Sequence, residues 1–179
     1  MMAPLLLPHD PAWKPAFDRE AKAIRLALGE GAIILHHIGS TAIPGILAKP
    51  IIDMLGIVDR LVEMDCHNPI MQGLGYEVMG EYGIETRRYF RKSDEVGQRT
   101  HHLHVFEQGS HHTERHLAFR DYLRNNTREA AEYSDLKSQV ASECPSAEAY
   151  GHAKAPFIAH TEKRALEWYR RNQTRDQTQ

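Results

Sequence analysis

Two cysteines, Cys66 and Cys144, are all that this chain of 179 residues carries. That excludes a disulfide framework and a four-cysteine zinc site, and it fits a reducing cytoplasm. Long apolar runs are missing too. The longest near the start, Leu5 to Leu7, is broken by Pro4 and Pro8 and is too short for a signal peptide or a membrane helix. An excess of one charge is missing as well: 22 Lys and Arg against 24 Asp and Glu leave a formal charge of −2. A dedicated nucleic-acid binder is usually strongly basic, so that class is disfavoured. Repeats and low-complexity tracts are absent. With 41% hydrophobic and 26% charged residues, the composition is that of an ordinary globular chain, long enough for about one domain.

Histidine is what the chain has in quantity, 12 residues of which eight fall in clusters: His36 and His37; His101, His102 and His104; His111, His112 and His116. Histidine is the commonest metal ligand and titrates near neutral pH, so these clusters raise metal binding or proton transfer.

The pattern along the chain predicts an α+β core followed by a helical C-terminal region. Asp10-Pro11 starts a helix carrying Trp13, Phe17, Ile24 and Leu28, which Gly29 and Gly31 end. Strands are expected at 32–38, 51–58, 76–79, 87–92 and 100–106, the last three as an antiparallel meander. A helix over 59–73 should break or kink at Asn68-Pro69. After Gly109, Leu117, Tyr122 and Leu123 mark one helix, and Ala130, Tyr133, Leu136 and Val140 a second. Tyr150, Phe157, Ile158, Ala165, Trp168 and Tyr169 mark a third, interrupted near Pro156. The expected organisation is one domain over 1–171, with a sheet core at about 10–108, helices at about 110–171 and a frayed polar tail at 172–179.

The segment from His37 to Val58, HIGSTAIPGILAKPIIDMLGIV, carries the chemistry. A buried strand ends at Gly39-Ser40, where glycine lets the backbone turn and a ligand approach the amides. Ser40 and Thr41 add hydroxyls, and N–H groups exposed at such a turn attract phosphate. On the next strand Asp53 follows Ile51 and Ile52. An ionised acid there costs several kcal/mol unless it is paired, and Lys49, four residues before it, offers a donor. A phosphate cradle beside a carboxylate is how a divalent cation and a phosphate are commonly joined.

This arrangement resembles the nucleotidyltransferase superfamily of the polymerase-β type, in which a Gly-Ser or Gly-Gly turn is followed by an acid–hydrophobic–acid strand. Over about Leu6 to Tyr169 the chain is identified as a member of the GrpB family, placed within that superfamily. The marks are HIGSTAIPGILAKPIID, RRYFRK at 87–92, HHLHVF at 101–106, LAFRDYLR at 117–124, YSDLK at 133–137, and Tyr150 with Lys154. The resemblance implies a nucleotidyltransferase-like mixed sheet of about five strands with flanking helices. It implies Asp53 as the catalytic acid that holds a divalent cation, magnesium or manganese. Gly39, Ser40, Thr41, Lys49 and Arg88 are its implied phosphate-binding residues. Where the superfamily has a third acid, this strand has His102 and His104, which would join Asp53 as metal ligands and favour manganese or zinc. His104 would complete the metal shell or act as a base.

One departure matters: the second acid, two residues after Asp53, is Leu55. The expected ligand is a nucleotide or another phosphorylated small molecule, with nucleotidyl transfer to an unknown acceptor as the leading reading. A non-catalytic nucleotide- or cofactor-binding module and a metal-dependent phosphohydrolase built on the histidine strand are the alternatives. His112 and His116 read as a solvated helix face, Arg120, Asp121 and Arg124 as local pairs, and Lys137 and Lys154 as surface lysines that close a groove at most. Trp13, Phe17, Tyr150, Phe157 and Trp168 read as core, and neither cysteine has a placed base.

Overall fold

The first helix starts two residues later than Asp10-Pro11 predicts, with Ala12 as its N-cap and no side chain capping it. The Asp10 carboxylate accepts the Ala12 N–H at 2.8 Å, and helix α1 spans Trp13–Leu28. This is a computed structural model, and it describes residues 5–144 and 146–176. The buried residues of α1 are Trp13, Phe17, Ala21, Ile24 and Leu28, one stripe at helical spacing.

The strands are β1 (Ile34–Ile38), β2 (Ile52–Val58), β3 (Tyr76–Val78), β4 (Arg88–Ser93) and β5 (Arg99–Glu107), each within two residues of expectation. They form one sheet in the order β1-β2-β5-β4-β3. β3, β4 and β5 make the expected antiparallel meander, and β1 pairs antiparallel with β2. β2 and β5 run parallel, which makes the sheet mixed. Between β2 and β3 the expected kinked helix is two short ones, α2 (Leu61–Cys66) and α3 (Asn68–Gly73). Pro69 lies in the first turn of α3, where its missing N–H has no helical partner to lose.

Alternation along β2 and β5 sends side chains to two layers. Met54, Leu103 and Val105 pack with Phe90 of β4 against α1, α2 and α3, the main core. Leu55 and Phe106 join Ile38 in a smaller apolar layer with Leu117, which belongs to helix α4 (His111–Asn125). α4, α5 (Thr127–Glu143) and α6 (Ala147–Asp176) close around Ile43, Ile46, Tyr122, Leu123 and Tyr133. Two expectations are corrected in α6. It runs unbroken through Pro156, with Phe157, Ile158 and Ala165 packed in that cluster directly after the lost N–H. It also continues to Asp176, so 172–176 is helix rather than frayed tail, while 177–179 lies outside the described residues.

Among the described residues no helix is long and apolar enough to cross a membrane.

Candidate functional site

β1 ends at Ile38, and the chain turns at Gly39 with φ +70° into a single 3-10 turn, Ser40–Ala42. Two constraints fix this glycine. Its φ lies where L side chains rarely go. A β-carbon there would overlap Asp53 Oδ2 and lie 2.8 Å from Asp53 Cβ. The turn therefore lies directly on the acid of the neighbouring strand.

Asp53 and His102 are register partners across β2 and β5, as are Leu55 and His104. The Asp53, His102 and His104 side chains thus share one face. Each offers a ligand atom within 4.8 Å of the others, so the expected trio does assemble. His102 Nδ1 lies 3.0 Å from Asp53 Oδ1. Burial raises the Asp53 carboxyl, but the His102 hydrogen bond and the imidazoles of His102, His104 and His116 outweigh it, so the carboxyl lies below its usual range. An ionised carboxylate only accepts, so His102 donates through Nδ1–H, which in the neutral ring leaves the lone pair on Nε2.

Around the trio lie residues that the sequence reading does not place at the site. Tyr89 of β4 is the register partner of His104, and its ring centroid lies 5.1 Å from that imidazole. The Arg87 guanidinium stacks on Tyr89 at 4.8 Å. His116 of α4 lies 5.8 Å from His104, centroid to centroid, and burial pushes it down to about 3. His112 stacks on Phe106 at 4.8 Å. His112 and His116 are therefore not a solvated face but a half-buried cover over the sheet, because α4 packs its histidines onto β5. Burial likewise pushes His104 down to about 4.

On the other side of Asp53 is a cavity of about 150 Å³ lined by Ser40, Thr41, Lys49, Asp53, His102, Lys137, Tyr150 and Lys154, with Ala48 and Ile51. Three of the liners are lysines and Asp53 is the single acid. Lys49 and Lys154 lie over the Tyr150 ring at 4.6 and 4.1 Å, so Lys49 is not hydrogen-bonded to Asp53 as expected. Lys137 is 1% exposed, which corrects its reading as a surface lysine. Its ammonium donates to the Leu47 carbonyl and, at 3.1 Å, to Ser40 Oγ. Burial, and then Lys154, pull it down to about 7; burial, and then Lys49, pull Lys154 down to about 8. Ser134, one turn earlier on α5, accepts the Leu47 N–H at 2.8 Å. α5 thereby holds both polar groups of Leu47 and fixes the connection that carries Lys49.

Beneath the turn, His37 stacks on Phe17 at 4.9 Å and lies 2.9 Å from Thr41 Oγ1 through Nε2. Thr41 in turn donates to the Ile51 carbonyl at 3.3 Å. The local pairs expected on α4 are present, Arg120–Asp121 at 2.7 Å and Arg124–Asp121 at 3.8 Å. The same arginines also brace the turn, Arg120 donating to the His37 carbonyl at 3.0 Å and Arg124 to that of Ala42 at 2.7 Å.

Arg88 is the one expected site residue that the structure does not bring here. It points to the other layer and pairs with Asp65 of α2 through two bonds of 2.5 and 2.8 Å. Arg87, Tyr89 and Arg91 share the parity that faces the histidines, so strand alternation was the signal that selects Arg87. The Arg88–Asp65 pair is partly exposed, so Arg88→Ala should cost about 1 kcal/mol or less. It should leave affinity for any ligand of the site unchanged, as titration calorimetry would read; a large loss of affinity would contradict this placement.

A family model described as GrpB protein matches residues 4–164. The UPF0157 protein YqkA of Bacillus subtilis (strain 168) is 43% identical over 161 residues, covering 89% of this chain and 46% of that protein. The chain thus spans about half the length of that relative. The crystal structure of conserved protein GrpB from Enterococcus faecalis matches with TM-score 0.86 and 41% identity, over 92% of this chain and 99% of that one. The Cid1 poly(U) polymerase in its MgGTP-bound structure matches with TM-score 0.54 and 11% identity, over 75% of this chain and 44% of that one, a likeness of fold alone. The five-stranded mixed sheet and its flanking helices are nucleotidyltransferase-like, and the chain belongs to the GrpB family.

Proposed function

We propose that this site binds the triphosphate of a nucleotide in the lysine-lined cavity, beside a divalent cation, and transfers the nucleotidyl group to an acceptor. The observation that carries this reading is the sharing of residues. Asp53 and His102 line the cavity and also belong to the cluster with His104. An anion in the cavity and a cation at Asp53 would therefore be neighbours.

The donor set fits a cation. A carboxylate with imidazole nitrogen suits manganese or zinc better than magnesium, although one carboxylate with substrate phosphates suffices for magnesium. Asp53 Oδ2 is offered as it stands, whereas His102 would join it as a ligand only by giving up its Nδ1–H bond to Oδ1, and while it keeps that bond it would orient the carboxylate. Bound there, the cation would offset phosphoryl charge and polarise the phosphorus under attack. Lys49, Lys137 and Lys154 would meet the β- and γ-phosphates and stabilise charge on the departing pyrophosphate. Gly39 would admit the phosphate to the backbone, and the Ser40 and Thr41 hydroxyls would orient it.

Leu55 favours a second reading. It is fully buried and in register with His104, where a second metal-binding acid would stand. With a single carboxylate on β2, the site would hold the nucleotide without turnover. Release of pyrophosphate across a panel of acceptors supports transfer, and tight binding with no release supports the module.

Binding carries a pH signature. Free Lys137 and Lys154 lose their protons near pH 7 and 8, and a polyanion favours their charged forms. Binding then takes up protons, and affinity falls as pH rises through that window. Calorimetric titration with each of the four ribonucleoside triphosphates should show binding weaker by at least about tenfold at pH 9 than at pH 6.5. Equal affinity at both would contradict the assignment of these lysines.

A further inference from the structure

Arg87 precedes β4 and is buried, 6% exposed. Its Nε donates to the Glu81 carbonyl at 3.1 Å and its Nη2 to the Tyr82 carbonyl at 2.7 Å. Its Nη1 lies 3.2 Å from His104 Nδ1. The acceptor loop is held in an unusual shape, with Tyr82 at φ +46° and Thr86 at φ +61°. Non-glycine residues in that region persist where the surroundings over-determine them. Here they wrap the loop carbonyls around one guanidinium.

Guanidinium has no acceptor, so the contact with His104 has a single polarity. Arg87 donates and His104 Nδ1 holds the lone pair. A neutral imidazole so held carries its hydrogen on Nε2. His102 is set the opposite way, because its Nδ1–H donates to Asp53 and leaves the lone pair on Nε2. Two imidazoles whose ring centroids are 6.4 Å apart are thus set, as neutral rings, in opposite tautomers, His102 with its hydrogen on Nδ1 and His104 with its hydrogen on Nε2.

We propose that Arg87 is a positioning residue that fixes His104 as a neutral hydrogen-bond donor through Nε2–H, so that His104 receives an anionic oxygen of the substrate instead of ligating the metal or acting as a base. That the oxygen belongs to a phosphoryl group rests on the nucleotide reading above; the donor role itself does not.

Long-range nitrogen-15 correlation of the imidazoles in the labelled full chain tests this directly. His104 is assigned by the signal lost in His104→Gln, and His102 by that lost in His102→Gln. The expected spectrum shows Nε2–H on His104 and Nδ1–H on His102. Nδ1–H on His104, or a signal averaged over both forms, would overturn the proposal. Arg87→Met should release His104 into such an average; if that variant does not fold, the unmodified chain still decides. A second arm measures Mn²⁺ affinity. His104→Gln, whose amide keeps a donor, should stay within about twofold, whereas His102→Gln should lose at least about tenfold. Equal losses would make His104 a ligand and overturn the proposal. Failure of the nucleotide reading would look different: no triphosphate binding, with the His104 spectrum unchanged.

Discussion

Asp53→Asn should leave the fold intact and remove the metal-dependent response to nucleotide. Asparagine keeps the shape of the side chain, and its Oδ1 still accepts from His102 Nδ1–H, so the contact of 3.0 Å survives. What disappears is the negative charge at the junction of the cavity and the histidines. For the unmodified chain, Mn²⁺ and a triphosphate at about 100 times the dissociation constant add roughly 2.7 kcal/mol. For this length that raises the melting midpoint by about 5–10 °C. The variant should show no metal-dependent rise in a thermal-shift assay and no turnover. A variant that responds like the unmodified chain would mean that Asp53 holds no cation.

Gly39→Ala should be among the most damaging single-methyl additions in the protein. With φ +70° and ψ −173°, Gly39 lies in a region that is essentially glycine's alone and costs an L residue about 1–3 kcal/mol. The new methyl group would also overlap the Asp53 carboxylate, and overpacking at a tight site costs a further 1–3 kcal/mol or so. Together these predict a loss of about 2–6 kcal/mol, or a melting midpoint lower by about 4–24 °C. If the chain still folds, Asp53 has been pushed from His102, so metal affinity falls with stability. A neutral Gly39→Ala in thermal denaturation would contradict the close approach of turn and acid.

The face that each strand residue takes was legible in the sequence, because alternation is local. His102 and His104 share a side, and Asp53 joins them once β2 and β5 pair in parallel register. The turn was legible for the same reason, since Gly39 carries a backbone requirement. Arg88 was misplaced although alternation put it beside Phe90, in the layer away from the histidines. The family motif, rather than the parity, had selected it. The burial of Lys137 was not legible. It depends on how α5 lies over the 43–50 connection, 90 residues away from Lys137 at Leu47, and no local pattern fixes that distance. A lysine on an amphipathic helix reads as solvated until the opposing backbone carbonyl is known. His116 illustrates the same limit, since α4 covers β5 only through tertiary packing.

The central claim is that the lysine cavity and the Asp53 cluster form one site. Thermodynamic linkage tests it most directly. Mn²⁺ binding is titrated calorimetrically, first to the protein alone and then to the protein saturated with a non-hydrolysable triphosphate analogue, with the analogue's own Mn²⁺ affinity subtracted. The account predicts Mn²⁺ affinity at least about tenfold tighter with the analogue bound, a coupling of about 1.4 kcal/mol, and the loss of that coupling in Asp53→Asn. Equal Mn²⁺ affinity in both titrations would mean that the two halves do not act as one site.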